Sequence, residues 1–290
     1  LIVPQESLSL VLVGVTSENY SNNLFVPKKK DIIRNFKIRA SQKINFNRTQ
    51  APYLSGDSIA SVADFVFRGG SKLSKREIWI ARQAKSVFTK SHELELLNFE
   101  QFPNLKVLIA GNSDRNFDIL PTVPEGINLL LLQNSSIESD RVRTLPIGLE
   151  NRSLGRFFGS RDFIFDSNRV AIEERVLVPP MSNTNSIRPL TIKQAMELET
   201  MFDVKISYLS ERDYLNLVKK YNFVLCLEGN GYENHRIWEC LYLGIYPVLL
   251  ETKWSKTLKT LNLPILFVDN LQEINNELLE QFIRKNIGST

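Results

Sequence analysis

Residues 221–248 read Tyr-Asn-Phe-Val-Leu-Cys-Leu-Glu-Gly-Asn-Gly-Tyr-Glu-Asn-His-Arg-Ile-Trp-Glu-Cys-Leu-Tyr-Leu-Gly-Ile-Tyr-Pro-Val. An apolar strand runs into a glycine-containing turn and then into a helix. Gly229 and Gly231 let the main chain turn tightly and approach a ligand. The helix that follows offers unpaired N–H groups and the positive end of its dipole. Arg236, in its first turn, adds a planar guanidinium able to grip two phosphate oxygens. Glu239 lies three residues on, along nearly the same face, and is an acceptor for ribose hydroxyls. Together these residues make a nucleotide-diphosphate site. The competing reading is a plain strand–turn–helix in which Arg236 and Glu239 form a surface ion pair.

The elements around this stretch are those of a layered α/β domain. Residues 175–180 read as a buried strand, and Leu190 to Phe202 has apolar residues at helical spacing. Val204 to Leu209 alternates like a strand, and Ser210 reads as the N-cap of a helix over 211–221. Strands are expected at 223–227, 246–250 and 265–268, with helices over 233–243, 255–263 and 271–285. Gly244 is placed to end the helix over 233–243. Strands that are apolar throughout indicate burial on both faces, hence a parallel sheet covered by helices on both sides. Ligands of such sheets bind beyond the C-terminal strand ends. The first half is less regular, with strands expected at 8–15, 104–110, 128–132 and 143–147 and a helix over 75–84. Several of these strands end in polar clusters, which implies a second α/β domain. No internal repeat is evident.

The chain has 290 residues, of which 43% are hydrophobic and 23% charged, enough for a buried core in one large domain or two. Residues 1–165 hold 22 Lys and Arg against 16 Asp and Glu, while residues 166–290 hold 14 against 16. This excess is too thin and scattered for a nucleic-acid footprint. It would suit an anionic small substrate or membrane headgroups, but ordinary solvated lysines account better for most of it, and its densest run, Lys28-Lys29-Lys30, reads on its own as a loop or a helix start. Cys226 and Cys240, each in an apolar context, read as buried free thiols. With only His92 and His235 besides, the chain has no His-rich metal cluster to offer. No apolar run approaches membrane-spanning length. No signal peptide is visible, so a reducing compartment is expected and the sequons at Asn19, Asn47, Asn134 and Asn151 carry little weight. Leu in place of Met at position 1 suggests a unit cut from a longer chain, whose other parts would supply any membrane association.

The 221–248 stretch resembles the nucleotide-sugar signature of the exostosin family and, more distantly, of the α-1,3-fucosyltransferase family. The shared features are Glu228-Gly-Asn-Gly, the pair His235-Arg236, Trp238-Glu239-Cys240-Leu241, Gly244 and Pro247-Val248. Both families are glycosyltransferases of GT-B architecture, two Rossmann-like domains facing across a cleft with the donor held mainly by the second. The likeness is strong over about 35 residues and loose over 176–290. It implies an acceptor-side domain at 1–165, a donor domain at 166–270, and a helix at 271–290 packing back toward the first domain. By position, Arg236 would hold the donor pyrophosphate and Glu239 the ribose. Glu228 and Asn230 would lie near the donor sugar or phosphates, with Gly231, Asn234 and His235 as further donor contacts. The loop Pro179-Pro-Met-Ser-Asn-Thr-Asn-Ser-Ile-Arg188 offers Thr184 and Arg188 as phosphate contacts. A capped loop before a helix at Leu190 explains the same residues equally well.

Two departures from related patterns bear on mechanism. The paired glutamates of many retaining GT-B enzymes are missing, since Gly231 stands where the first would be, so the stereochemistry stays open. The chain has no Asp-x-Asp. That fits a metal-independent mode in which Arg236, Arg188 and helix dipoles offset the charge of the leaving diphosphate. An inverting reaction also needs a base within reach of the acceptor hydroxyl. Asp114 and Glu150 are the leading candidates, then His92, with Asp57 and Asp64 behind; each could equally cap a turn.

The expectation is therefore a metal-independent glycosyltransferase that needs no cofactor and moves a sugar from a nucleotide sugar to a hydroxyl of a glycan or glycoconjugate. The basic half would suit an acceptor carrying carboxylates or phosphates. Polysaccharide synthesis in a bacterial cytoplasm or at its membrane face, or in a Golgi lumen, would be the setting. A degenerate nucleotide- or glycan-binding module is the alternative. A dinucleotide enzyme built on Gly229-x-Gly231 is weaker, because Asn234 stands where its third glycine belongs.

Overall fold

A computed structural model describes residues 53–70, 72–151 and 171–287. The strand expected at 8–15, the Lys28-Lys29-Lys30 run, the sequons at Asn19 and Asn47 and the boundary expected near 165 lie outside the described residues. The chain forms two compact units that part at Gly148. Each unit is built on a five-stranded parallel sheet with helices, an α/β arrangement compatible with Rossmann-like domains.

In the first unit the described elements are α1 (Gly56–Val62), β1 (Phe65–Val66), α2 (Lys75–Ala81), β2 (Ser86–Lys90), β3 (Val107–Gly111), β4 (Leu129–Leu132) and β5 (Val142–Thr144). Two short 3-10 helices, Ser91–Leu96 and Phe99–Gln101, lie between β2 and β3. Helix α2 begins on a capping box, with the Ser74 hydroxyl accepting from Glu77 N and the Glu77 carboxylate from Ser74 N. The strands stand in chain order, β1-β2-β3-β4-β5, without reversal among the described residues. Their pairing aligns Phe65, Val87, Leu108, Leu130 and Val142 across the sheet, and this row forms the centre of one core. The register exposes a periodicity hidden in the sequence. Leu105-x-x-Leu108-x-x-x-Asn112 returns as Ile127-x-x-Leu130-x-x-x-Asn134, and both asparagines adopt positive φ (52° and 55°) where the chain leaves its strand.

The second unit runs β6 (Glu173–Val178), α3 (Ile187–Glu197), β7 (Phe202–Val204), α4 (Glu211–Val218), β8 (Tyr221–Leu225), α5 (His235–Tyr242), β9 (Tyr246–Leu250), α6 (Ser255–Lys259), β10 (Leu266–Val268) and α7 (Asn276–Ile287). Helix α4 starts as read: the Ser210 hydroxyl accepts from Asp213 N at 3.1 Å. Gly244 follows α5 at φ 68°. Helix α3 begins earlier than expected, at Ile187, which puts Arg188 on its first turn; Pro189 is tolerated there because first-turn N–H groups have no intrahelical partner. Strand β7 sits at Phe202–Val204 rather than 204–209, because Phe202 is the residue that fills the core. The helix expected to pack toward the first domain, α7, sets Leu279, Phe282 and Ile283 on the core of its own unit, with Phe282 against the rings of Phe223 and Tyr246.

The strand order here is β7-β6-β8-β9-β10. The chain leaves β6 for one edge, returns, and continues from β8 toward the other. Loops therefore diverge beyond the C-terminal ends of β6 and β8, and sheets of this kind bind ligands in that crevice.

Candidate functional site

Both lips of that crevice carry residues singled out by the sequence. Arg188, on α3 after β6, is 7% exposed. Its Nε donates to the Glu228 carbonyl at 2.7 Å and its Nη2 to the Leu227 carbonyl at 3.2 Å, both just past β8. Its Nη1 donates to the Ser182 carbonyl at 2.7 Å and to Thr184 Oγ1 at 2.8 Å, in the loop after β6. Arg188 thus staples the two lips together and commits nearly all its donors to the chain. Asn185 Nδ2 adds a bond to the Gly229 carbonyl at 3.2 Å. Gly229 serves this closeness rather than an unusual backbone angle. Neither Gly229 nor Gly231 has positive φ, but a Cβ on Gly229 would stand 3.2 Å from Arg188 Nη2.

Arg236 is the second cation. It stands second in α5, which is anchored by the fully buried Trp238, whose Nε1 donates to the buried Glu233 carboxylate at 2.6 Å. Arg236 donates through Nε to the Tyr214 hydroxyl at 3.1 Å and through Nη2 to the Pro180 carbonyl at 3.2 Å. Its other N–H donors are not spent on protein oxygens among the described residues. Among the described residues neither Arg188 nor Arg236 has a carboxylate in ion-pair range. The two charges sense each other: burial, and then the charge of Arg236, hold Arg188 below the ordinary arginine pKa. Burial also opposes the charge on Arg236, but its surroundings, Tyr214 and Glu239 among them, outweigh it and hold that pKa above the ordinary value.

The predicted surface ion pair between Arg236 and Glu239 does not form. Glu239 is 9% exposed, and burial raises its pKa to about 7 against the pull of Arg236, with Glu150 and Glu211 adding repulsion. Asn234 occupies the N-cap of α5 without capping it; its Nδ2 turns to the Leu227 carbonyl at 2.8 Å. His235 Nδ1 lies 2.8 Å from the Gly148 carbonyl, so this nitrogen donates. Glu228 accepts from Thr252 Oγ1 at 3.3 Å. Asn230 is exposed, and the Gly231 carbonyl accepts from Gly229 N at 3.0 Å.

The base candidates divide. Glu150 was expected on the acceptor side, but it belongs to the second unit and lies buried near Glu239. Asp114 and His92 stay in the first unit, both exposed, where His92 Nδ1 is 3.1 Å from the hydroxyl of Ser113, the residue before Asp114. Asp64 caps the turn into β2, accepting from Lys85 N and Ser86 N, each at 3.0 Å. Asp57 falls in the first turn of α1. Sequence reasoning missed Tyr214, which both accepts from Arg236 and places its ring 5.6 Å from the guanidinium carbon. Its position beyond the Ser210 cap was the sole local signal.

Among the described residues no helix is long and apolar enough to cross a membrane. Nor, among the described residues, is any group of three or more His, Cys, Asp and Glu side chains placed to hold a metal ion. The chain matches no protein-family model, and no curated protein aligns with it significantly.

Proposed function

We propose that the chain is a nucleotide-sugar-dependent glycosyltransferase of GT-B type, moving a sugar to a hydroxyl of a glycan or glycoconjugate without a metal ion. The observation that carries this reading is Arg236. It is a half-buried, largely uncommitted guanidinium at the strand-order reversal, near the buried guanidinium of Arg188, and among the described residues no carboxylate is paired to either. Such a place favours a diphosphate. Arg236 grips the diphosphate, while Arg188 shapes the loop and contributes its charge at a distance. Glu239 serves the ribose diol, and Glu228 and Asn230 face the donor sugar. As the diphosphate leaves, the two arginines and the N-terminus of α5 offset its growing charge. In an inverting transfer Asp114 or His92 would take the acceptor proton.

Thermal shift with UDP, GDP, CMP and their sugars tests the donor class, because a ligand that binds the folded state raises its stability. Arg236→Ala is expected to abolish both the shift and sugar transfer. A variant that keeps both would sink the reading. The second reading is a binding module without transfer activity, favoured by the exposed positions of Asp114 and His92. Hydrolysis of a nucleotide sugar in the absence of acceptor separates the two.

A further inference from the structure

The site contains a carboxyl that has no stabilising hydrogen bond from its neighbouring cation. Glu239 sits one turn beyond Arg236 on α5, in the interior, yet Arg236 directs its bonds to Tyr214 and Pro180 instead. Among the described residues, the charged and titratable groups that act on the carboxyl are Arg236 and Cys240 on α5, Tyr214 and Glu211 on α4, and Glu150 in the segment after Gly148. Of these, Arg236 is the one that favours the ionised form, and it does so only through space. An anion seated on Arg236 offsets that attraction and adds a like charge nearby.

We infer that an anion bound at Arg236 drives a proton onto Glu239, so that ligand occupancy and protonation of this carboxyl are linked. The inference rests on the anion site proposed above and adds a rule for its regulation: the ligand binds more tightly as pH falls through neutrality. A protonated carboxyl still suits a ribose diol, since it donates to one hydroxyl and accepts from the other. In the unliganded protein its pKa of about 7 leaves both forms populated near neutral pH.

The test is calorimetry of UDP-glucose and GDP-mannose binding at pH 7.5 in buffers of different ionisation enthalpy, because the diphosphate of these diesters does not itself titrate there. The expected result is a buffer-dependent heat equal to the uptake of a fraction of one proton. Affinity should also weaken several-fold from pH 6.5 to 8.5. In Glu239→Gln, which is permanently neutral, both dependences should vanish while binding remains measurable. Buffer-independent binding by the unaltered protein would overturn the linkage, as would a dependence that persists in Glu239→Gln. Binding of neither nucleotide sugar by the unaltered protein would overturn the anion site itself.

Discussion

Arg236 and Tyr214 meet twice: the guanidinium Nε donates to the phenol oxygen at 3.1 Å, and its carbon lies 5.6 Å from the centroid of the same ring. Both side chains are half-buried, so the tyrosine aims the cation rather than merely covering it. Tyr214→Phe keeps the ring and removes the acceptor. Loss of a hydrogen bond to a charged group costs about 1.5–3 kcal/mol, so donor affinity should fall by roughly tenfold or more. The melting temperature should fall as well, since the same bond stabilises the free fold, and titration calorimetry beside a thermal melt measures both losses.

Arg188 should behave as a brace. Its removal in Arg188→Met strands carbonyls of Ser182 and Glu228 in the closed loop, a mechanism that costs on the order of 3 kcal/mol. Lysine should not rescue it, because a point charge cannot span the two lips. Urea denaturation of the Met and Lys variants gives the answer; a stable Lys variant would mean that charge alone mattered.

Glu239 should weaken the fold at high pH. Its carboxyl titrates near 4.5 when unperturbed and at about 7 in the folded chain. The folded state therefore holds the proton more tightly. The associated stability is complete below about pH 4.5 and is lost as pH rises through about 7. Relative to the unaltered protein, Glu239→Gln should gain stability across this interval, as urea midpoints measured at successive pH values will report.

Asp203 carries the opposite sign. Burial acts to raise its pKa, but hydrogen bonds from Lys205 and Tyr221 and the charges of Lys205 and Arg175 outweigh it. The net effect holds the carboxyl below its ordinary 3.8. Its contribution is present above that value and is lost as pH falls through the lower folded one. Asp203→Asn should therefore be less stable than the unaltered protein at pH 7, with the gap closing in acid; a gap independent of pH would contradict the assignment.

Features set by interactions within a few residues are legible in the sequence. The Ser210 cap, the Gly244 termination and the place of Arg236 in the first turn of α5 follow from interactions within a few residues, and the structure keeps all three. Boundaries drifted where propensity met packing, as at β7, where the need to bury Phe202 outweighs the alternation that follows it. The Leu108 and Leu130 repeat was obscured because its period of 22 residues shows clearly only once β3 and β4 pair.

By itself, then, the sequence determined the α/β alternation, the ends of several helices, and the identity of the two arginines and the glutamate that make the crevice chemically distinctive. Only the tertiary structure decided what those groups do to one another. Arg188 reaches carbonyls 39 and 40 positions away, and Arg236 reaches Tyr214 across 22 positions and Pro180 across 56. Glu150, two residues into the second unit, joins the surroundings of Glu239. Contacts of that span are set by how strands order and helices pack, and local spacing has no means of encoding which buried donor will find which acceptor.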